Sequence, residues 1–361
     1  MPRTITITRK DKILQQDAYI QLLEEFISDS ELGRRTKKNG KRLSPGSIRG
    51  YVYLKKYLIE FSIKKNFPLK LYINNNLTMN QRIMANRYYA KFYKRFTDFM
   101  YDDKDCYDNY VGTLIKCIRS FHNYLNDERH IDVGSFHRSF YVAREEIPII
   151  TLSIDQLNYI IYDKEFDRQV KESGLEAVKD IFIFGCTVAL RVSDLLELSK
   201  KNLFITTSGY YLRAKSKKTG THTSMKLPEY AAKILQKYEH KGDKLLPAIT
   251  PAMFNHRIKQ LARLIPDNFE MIKVREKRGV QVVIYKDPIK KTHYQLSDHL
   301  SSHTMRRTAI TTMLNLGMPE HMVRKISGHA PNSREFYRYV ELSQAALDQE
   351  TDKVFEKLRD L

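Results

Sequence analysis

The sequence predicts a mainly α-helical protein of two domains, with small antiparallel β-sheets confined to the second. Three observations predict this. Apolar residues repeat at helical spacing through the first part of the chain. Short alternating runs bounded by glycine turns appear only after residue 200. The chain has 361 residues, enough for two separate cores.

Residues 12–28 read as the first helix. Ile48, Tyr51, Leu54, Leu58 and Phe61 give the second. Ser44 before Pro45 marks its start, because a serine side chain caps the free amides and proline is tolerated in the first turn. Tyr89, Phe92, Phe96 and Phe99 form a further stripe, and Leu114, Ile118, Phe121 and Leu125 another. In "RYYAKFYKRF" the phenylalanines belong to a core and the bases face outward. This gives a domain of four or five helices over about residues 10–130, within a first domain of 1–140 that includes an N-terminal extension, 1–10. The stretch "NDERHIDVGSFHRSFYVAREEIPII" has little periodicity and contains Pro148, which predicts a linker at 141–150.

The second domain, 151–361, opens with a capping box, Ser153 and Gln156. "NLFITT", "GYYLRAKS" and "THTSMKLP" alternate like strands, with turns at Ser208–Gly209 and Thr219–Gly220. A second hairpin is expected in "EMIKVREKRGVQVVIYK", turning at Arg278–Gly279. A tail helix over 341–361 places Leu347, Val354, Leu358 and Leu361 on one stripe.

Charge narrows the partner. The chain carries 62 basic and 42 acidic side chains, a net charge of +20. Residues 1–150 hold 27 basic against 17 acidic, and the remainder holds 35 against 25. Both halves are therefore equally basic, as expected of two domains facing one polyanion. A ribosomal or membrane-surface protein shares this composition. No apolar run is long enough for a membrane span, and "MPRTITITRKDK" lacks the features of a signal peptide. Cys106, Cys117 and Cys186 are odd in number and irregularly spaced. That argues against disulfides or a zinc site and predicts a reducing, cytoplasmic location. "GRRTKKNGKRLSPG" concentrates Arg34, Arg35, Lys37, Lys38, Lys41 and Arg42, read as a phosphate-gripping loop. Lys116 and Arg307 join them as candidate DNA contacts.

The stretch "SSHTMRRTAITTMLNLGMPEHMVRKISGHAPNSREFYRYV" raises a chemical question. His303 and Arg306 are three apart and share a face if helical. Ser301 or Ser302 can cap that helix and Gly317 end it. Pro319 starts a second short helix that Gly328 closes before His329. The unit buries Ile310, Met313, Leu314, Val323 and Ile326 and brings His303, Arg306 and His329 together near a helix start, where an anionic oxygen is favoured. His299 and His303 are four apart and could pair on a metal, but Arg306 and Arg307 beside them disfavour a cation.

"HTMRR…ISGH…Y" resembles the C-terminal signature of the tyrosine recombinases, or phage-type integrases. "CTVALRVSDLLEL" resembles that family's first-arginine box, which selects Arg191 with Asp194 as its acidic neighbour. "KSKKTGTHTSMKLP" resembles the turn that carries the family's catalytic lysine. Lys218, directly before Thr-Gly, matches it, although Lys215 and Lys217 are close by. Four boxes in order are far more specific than any one alone. The resemblance covers essentially the whole chain and implies a SAM-like helical core-binding domain followed by a mixed α/β catalytic domain. It implies a DNA phosphodiester attacked by tyrosine, giving a 3′-phosphotyrosine and a free 5′-hydroxyl.

The residue types suit that chemistry. Tyrosine ionises near pH 10 and needs a base, which points to His303. Arg191 and Arg306 suit the non-bridging oxygens because a guanidinium stays charged and binds phosphate in a fork. His329 adds a donor, and Lys218 can protonate the leaving 5′ oxygen. The phosphotyrosine conserves bond energy, so neither metal nor cofactor is expected.

Two departures stand out. Ala189 occupies the family's usual glycine position. The family's tyrosine falls about nine residues after the second histidine, whereas Tyr337 falls at eight and Tyr339 at ten. On one helix the two point about 200° apart, so only one can face the site. The F-x-x-Y-aliphatic pattern formed by Phe336, Tyr339 and Val340 favours Tyr339. The resemblance further implies double-stranded DNA at specific sites, a tetramer on two duplexes that is a monomer when free, accessory DNA-bending proteins and a bacterial, nucleoid-associated location. The biological role would be integration or excision of a mobile element, or inversion or resolution. The rival readings are a non-catalytic DNA-binding protein of the same fold and a type IB topoisomerase.

Overall fold

The computed structural model describes residues 11–343 except Lys38, Lys218, Thr219, Lys241 and Pro331, together with Thr351, Asp352 and Phe355. The predicted tail stripe therefore lies outside the described residues. The chain divides into two compact units. One holds the residues up to Ile147 and the segment Val274–Ile284, and the other holds Pro148–Lys273 and the residues from Tyr285 onward.

In the first unit, β1 (Ile13–Leu14) precedes α1 (Gln16–Glu31) and α2 (Pro45–Lys64). β2 (Leu71–Tyr72) pairs antiparallel with β1, and α3 (Met79–Asp98) and α4 (Asp108–Asp127) follow. Ser44 caps α2 as its sequence predicts, its Oγ accepting from Ser47 N at 3.2 Å. The apolar stripes meet in an aromatic core. Phe26, Phe61, Phe96, Phe99, Phe121 and Tyr124 are fully buried, and the Phe92 and Phe96 rings stack 5.7 Å apart. The aperiodic stretch after α4 packs on this core through single residues. Ile131, Val133 and Phe140 are buried, and His137 Nε2 lies 2.8 Å from Asn123 Oδ1. Such piecemeal anchoring leaves no period in the sequence.

The second unit opens with α5 (Ile154–Tyr162), α6 (Lys164–Glu172), α7 (Glu176–Val188) and α8 (Val192–Leu195). The Ser153–Gln156 capping box forms as expected, starting α5. β3 (Leu203–Thr206), β4 (Gly209–Lys215) and β5 (His222–Lys226) make a three-stranded antiparallel sheet, with Leu203 opposite Leu212 and Lys215 opposite His222. α9 (Glu229–Gln236), α10 (Pro251–Ala262) and β6 (Glu270–Met271) come next. Then follow the hairpin β7 (Lys273–Lys277) and β8 (Val280–Ile284), and β9 (Tyr294–Gln295), which pairs with β6. α11 (Leu296–His299), α12 (Ser302–Asn315), α13 (Glu320–Ser327) and α14 (Arg334–Glu341) complete the described elements. α7 is buried on nearly every side and is the central helix. Gly185 lets α12 approach it, since a Cβ there would stand 2.4 Å from Met305 Sδ and 3.1 Å from Met305 Cβ.

The β7–β8 hairpin turns where predicted. Arg278 and Gly279 both have positive φ, +57° and +74°, the signature of a type I′ turn. Its grouping with the first unit was not foreseen. Arg278 N and Gly279 N donate to the buried Asp108 carboxylate, each at 2.8 Å, and Tyr101 Oη donates to the same carboxylate at 2.8 Å. The Arg278 guanidinium bonds Asp98 and Asp102, and Arg275 forms a two-point pair with Glu145.

Candidate active site

The site lies in the second unit and is built from the ends of helices. α7 stops at Ala189, which adopts a left-handed conformation with φ +55° and ψ +20°. Glycine suits that shape better, since a Cβ costs about 1–2 kcal/mol in left-handed backbone. Here the methyl group is fully buried, which returns about 0.8 kcal/mol. The freed carbonyl of Ala189 accepts from Arg306 Nη1 at 2.7 Å. Two residues on, Arg191 starts α8, and its Nη1 donates to Ser216 Oγ at 3.0 Å.

Ser216 follows β4 and closes a tight turn. Its amide donates to Thr221 O at 2.9 Å, and its carbonyl accepts from Gly220 N at 2.7 Å. Asp194 is buried and pins the same turn, with Oδ1 accepting from Lys217 N at 3.2 Å. Lys218 follows Lys217 in the sequence and lies outside the described residues. The returning arm passes α13, where a Cβ on Gly328 would stand 3.4 Å from Thr223 Cγ2.

Arg306 is buried on α12, with Nη2 3.2 Å from His329 Nε2. Burial and the neighbouring Arg191 charge pull its guanidinium down to about 10. Burial first, then Arg306, Arg191 and Arg324, push the His329 imidazole down to about 3, so it is neutral at pH 7. His303 stands one turn before Arg306 on α12 and is exposed. Gly328, with φ +65°, ends α13 in the left-handed shape and turns the chain into His329.

α14 separates the two tyrosines. Tyr339 is 8% exposed and its ring lies 6.0 Å from that of His329, with buried Phe336 between them and the core. Tyr337 is 47% exposed and its ring faces Arg324 at 5.4 Å. The structure thus gathers Arg191, Arg306, His329 and Tyr339, with the lysine turn and Asp194 alongside. Two guanidiniums, an imidazole and a phenol converge on a space suited to an anion and a nucleophile.

The candidate DNA contacts divide. Arg34, Lys37, Lys41, Arg42 and Lys116 are exposed, and Arg307 is half-buried beside the site. Arg34 pairs with Asp29 at 3.1 Å. Lys38 lies outside the described residues. Arg35 corrects the sequence reading. It is 9% exposed, donates to Glu128 and to Ser30 Oγ, and lies 4.1 Å over the Phe26 ring. Its charge is engaged inside the unit. No cluster of three or more metal-ligating side chains occurs among the described residues. Among them, no helix is long and apolar enough to cross a membrane.

Residues 179–345 match the phage integrase family. The match spans a little under half of the chain and, apart from Val274–Ile284, lies within the second unit. The match takes in Arg191, Arg306, His329 and both tyrosines. No curated protein matches the sequence. The fold is that of the integrases. A lambda integrase tetramer bound to a Holliday junction superposes with a TM-score of 0.57 at 13% identity, covering 92% of this chain and 78% of that one. XerH site-specific recombinase bound to difH substrate gives 0.56 at 12% identity, covering 96% and 99%. A lambda integrase dimer bound to a COC′ core site gives 0.57 at 12% identity, covering 91% and 77%. Sequence reasoning missed three members of this candidate site, namely Ser216, Ser327 and the Ala189 carbonyl. Lone serines and a backbone oxygen carry no periodic or compositional signal.

Proposed function

We propose that this chain is a site-specific recombinase that cuts and rejoins double-stranded DNA through tyrosine. The observation that carries the reading is the convergence of Arg191, Arg306, His329 and Tyr339 from three separate stretches of sequence. Tyr339 Oη attacks the phosphorus, forming a new P–O bond while the bond to the 5′ oxygen breaks. His303 takes the phenol proton, and Lys218 gives one to the leaving oxygen. Arg191, Arg306 and His329 hold the non-bridging oxygens as their charge grows. Asp194 positions the lysine turn. The reverse attack by a 5′-hydroxyl restores the strand and frees the tyrosine.

The reading extends to a tetramer on two duplexes, gripped through phosphate by both basic units. The DNA-bound assemblies of the structural neighbours support it, as does the even spread of charge. Integration or excision of a mobile element is the favoured role. The test is a covalent trap. Nicked duplexes built from the DNA flanking the coding region should give an SDS-resistant adduct without added metal. No adduct on any such duplex at low salt sinks the reading. Relaxation of plasmid with no site requirement points instead to a topoisomerase.

A further inference from the structure

His329 has a partner besides Arg306. Ser327 stands in the last turn of α13, two residues earlier, and is buried. Its Oγ lies 2.7 Å from Val323 O and 2.8 Å from His329 Nδ1. Arg306 Nη2 lies 3.2 Å from Nε2 and 3.3 Å from Nδ1 of the same ring.

Counting hydrogens leaves one arrangement. A carbonyl only accepts, so the single Ser327 proton goes to Val323 O. The serine oxygen is then an acceptor, and Nδ1 must carry the proton it receives. Arg306 Nη2 stands nearly equidistant from the two ring nitrogens, so it lies over the ring face and selects neither. A neutral ring carries one N–H proton, so Nε2 is bare. The other tautomer turns the Ser327 hydroxyl to Nδ1 and leaves the Ser327 and Val323 oxygens 2.7 Å apart with no hydrogen between them.

We infer that Ser327 is a positioning residue that fixes His329 as the Nδ1–H tautomer in the free protein. The consequence for catalysis rests on the recombinase reading. To serve a phosphate oxygen, Nε2 must donate. The Ser327 hydroxyl then rotates from Val323 O to Nδ1, Nδ1 releases its proton to water, and Nε2 takes one from water. The ring stays neutral and no proton is gained or lost. One serine hydroxyl satisfies the ring in both positions, so the substrate switches the tautomer without leaving a ring nitrogen unpaired.

The decisive measurement is a two-bond ¹H–¹⁵N correlation spectrum of the full chain labelled at histidine, with His329→Gln identifying the signals. The wild type is expected as Nδ1–H, Ser327→Thr should match it, and Ser327→Ala should move to Nε2–H. A wild-type ring protonated at Nε2, or a ring unchanged in Ser327→Ala, overturns the inference. The wild-type spectrum decides alone should Ser327→Ala fail to fold. On nicked target DNA, Ser327→Ala should slow adduct formation by about tenfold or more, and Ser327→Thr should restore it. Absence of an adduct from the wild type overturns the recombinase reading, while the spectrum still decides the tautomer.

Discussion

The choice between two tyrosines gives the sharpest test of the site. Tyr337→Phe and Tyr339→Phe each remove one hydroxyl and keep the ring. Tyr337 is 47% exposed and meets Arg324 through its ring face, a contact that phenylalanine retains. The expected change is within about 0.5 kcal/mol, or roughly twofold in rate. Tyr339 is 8% exposed, with its ring 6.0 Å from that of His329. Losing its hydroxyl costs the fold only about 1 kcal/mol, yet it removes the atom that the proposed reaction bonds to phosphorus. Adduct formation should fall to background while thermal unfolding stays close to wild type. Both variants are read on the same nicked duplex by denaturing gel. An adduct from Tyr339→Phe and none from Tyr337→Phe refutes the assignment, and with it the claim that burial on α14 selects the nucleophile.

Three further outcomes follow from the same geometry. Arg306→Lys keeps the charge but cannot reach both Ala189 O and His329, so cleavage should drop about 100-fold or more with the fold retained, measured as single-turnover adduct formation. Replacing Lys37, Lys41 and Arg42 together by glutamine should flatten the slope of log affinity against log salt by about 3; Arg35→Gln should leave that slope unchanged and instead lower stability by about 1 kcal/mol, because it removes the part-exposed pair with Glu128 and the hydrogen bond to Ser30. Burial holds His122 at about 3 and His137 at about 4, against 6.5 for a free histidine. Below about pH 6.5 the unfolded chain therefore takes up protons that the folded unit refuses, and stability falls as pH falls toward those values. His122 alone should account for about 2 kcal/mol by pH 5, and His122→Leu should flatten the denaturation profile across that window.

The sequence was legible where a physical rule acts over neighbouring residues. Ser44, the Ser153–Gln156 box and the Arg278–Gly279 turn are local devices, and each appears where its spacing places it. The apolar stripes likewise became core. Arg35 was misread because a loop rich in bases gives no sign that one of them turns inward over Phe26. The hairpin's membership of the first unit was hidden for a related reason. Its anchors, Asp98, Asp102, Asp108 and Glu145, lie more than 120 residues upstream and look like ordinary surface acids. Pairings at that separation leave no trace in a single sequence, whereas the site boxes were found because motif order substitutes for distance.

The electrostatics explain why the site is shaped for an anion. Burial first, and then the nearby Arg191 charge, lower the affinity of Arg306 for its proton. Asp194 is the nearby acid, yet it lends an oxygen to the Lys217 amide, and Arg191 turns to a neutral serine. Among the described residues Arg306 likewise meets a carbonyl and a neutral imidazole. These partners satisfy hydrogen bonds without cancelling charge. A carboxylate in their place would stabilise the folded chain but would compete with an anion. Backbone and hydroxyl partners hold the cations in position and leave their field only partly offset by Asp194, so in the proposed reaction the remainder is available to a phosphate as its charge grows. The same reasoning assigns the close packing at Gly185 a functional purpose. By letting α12 approach α7, it brings Arg306 within reach of the Ala189 carbonyl, and a methyl group there would press on the Met305 side chain one residue before Arg306.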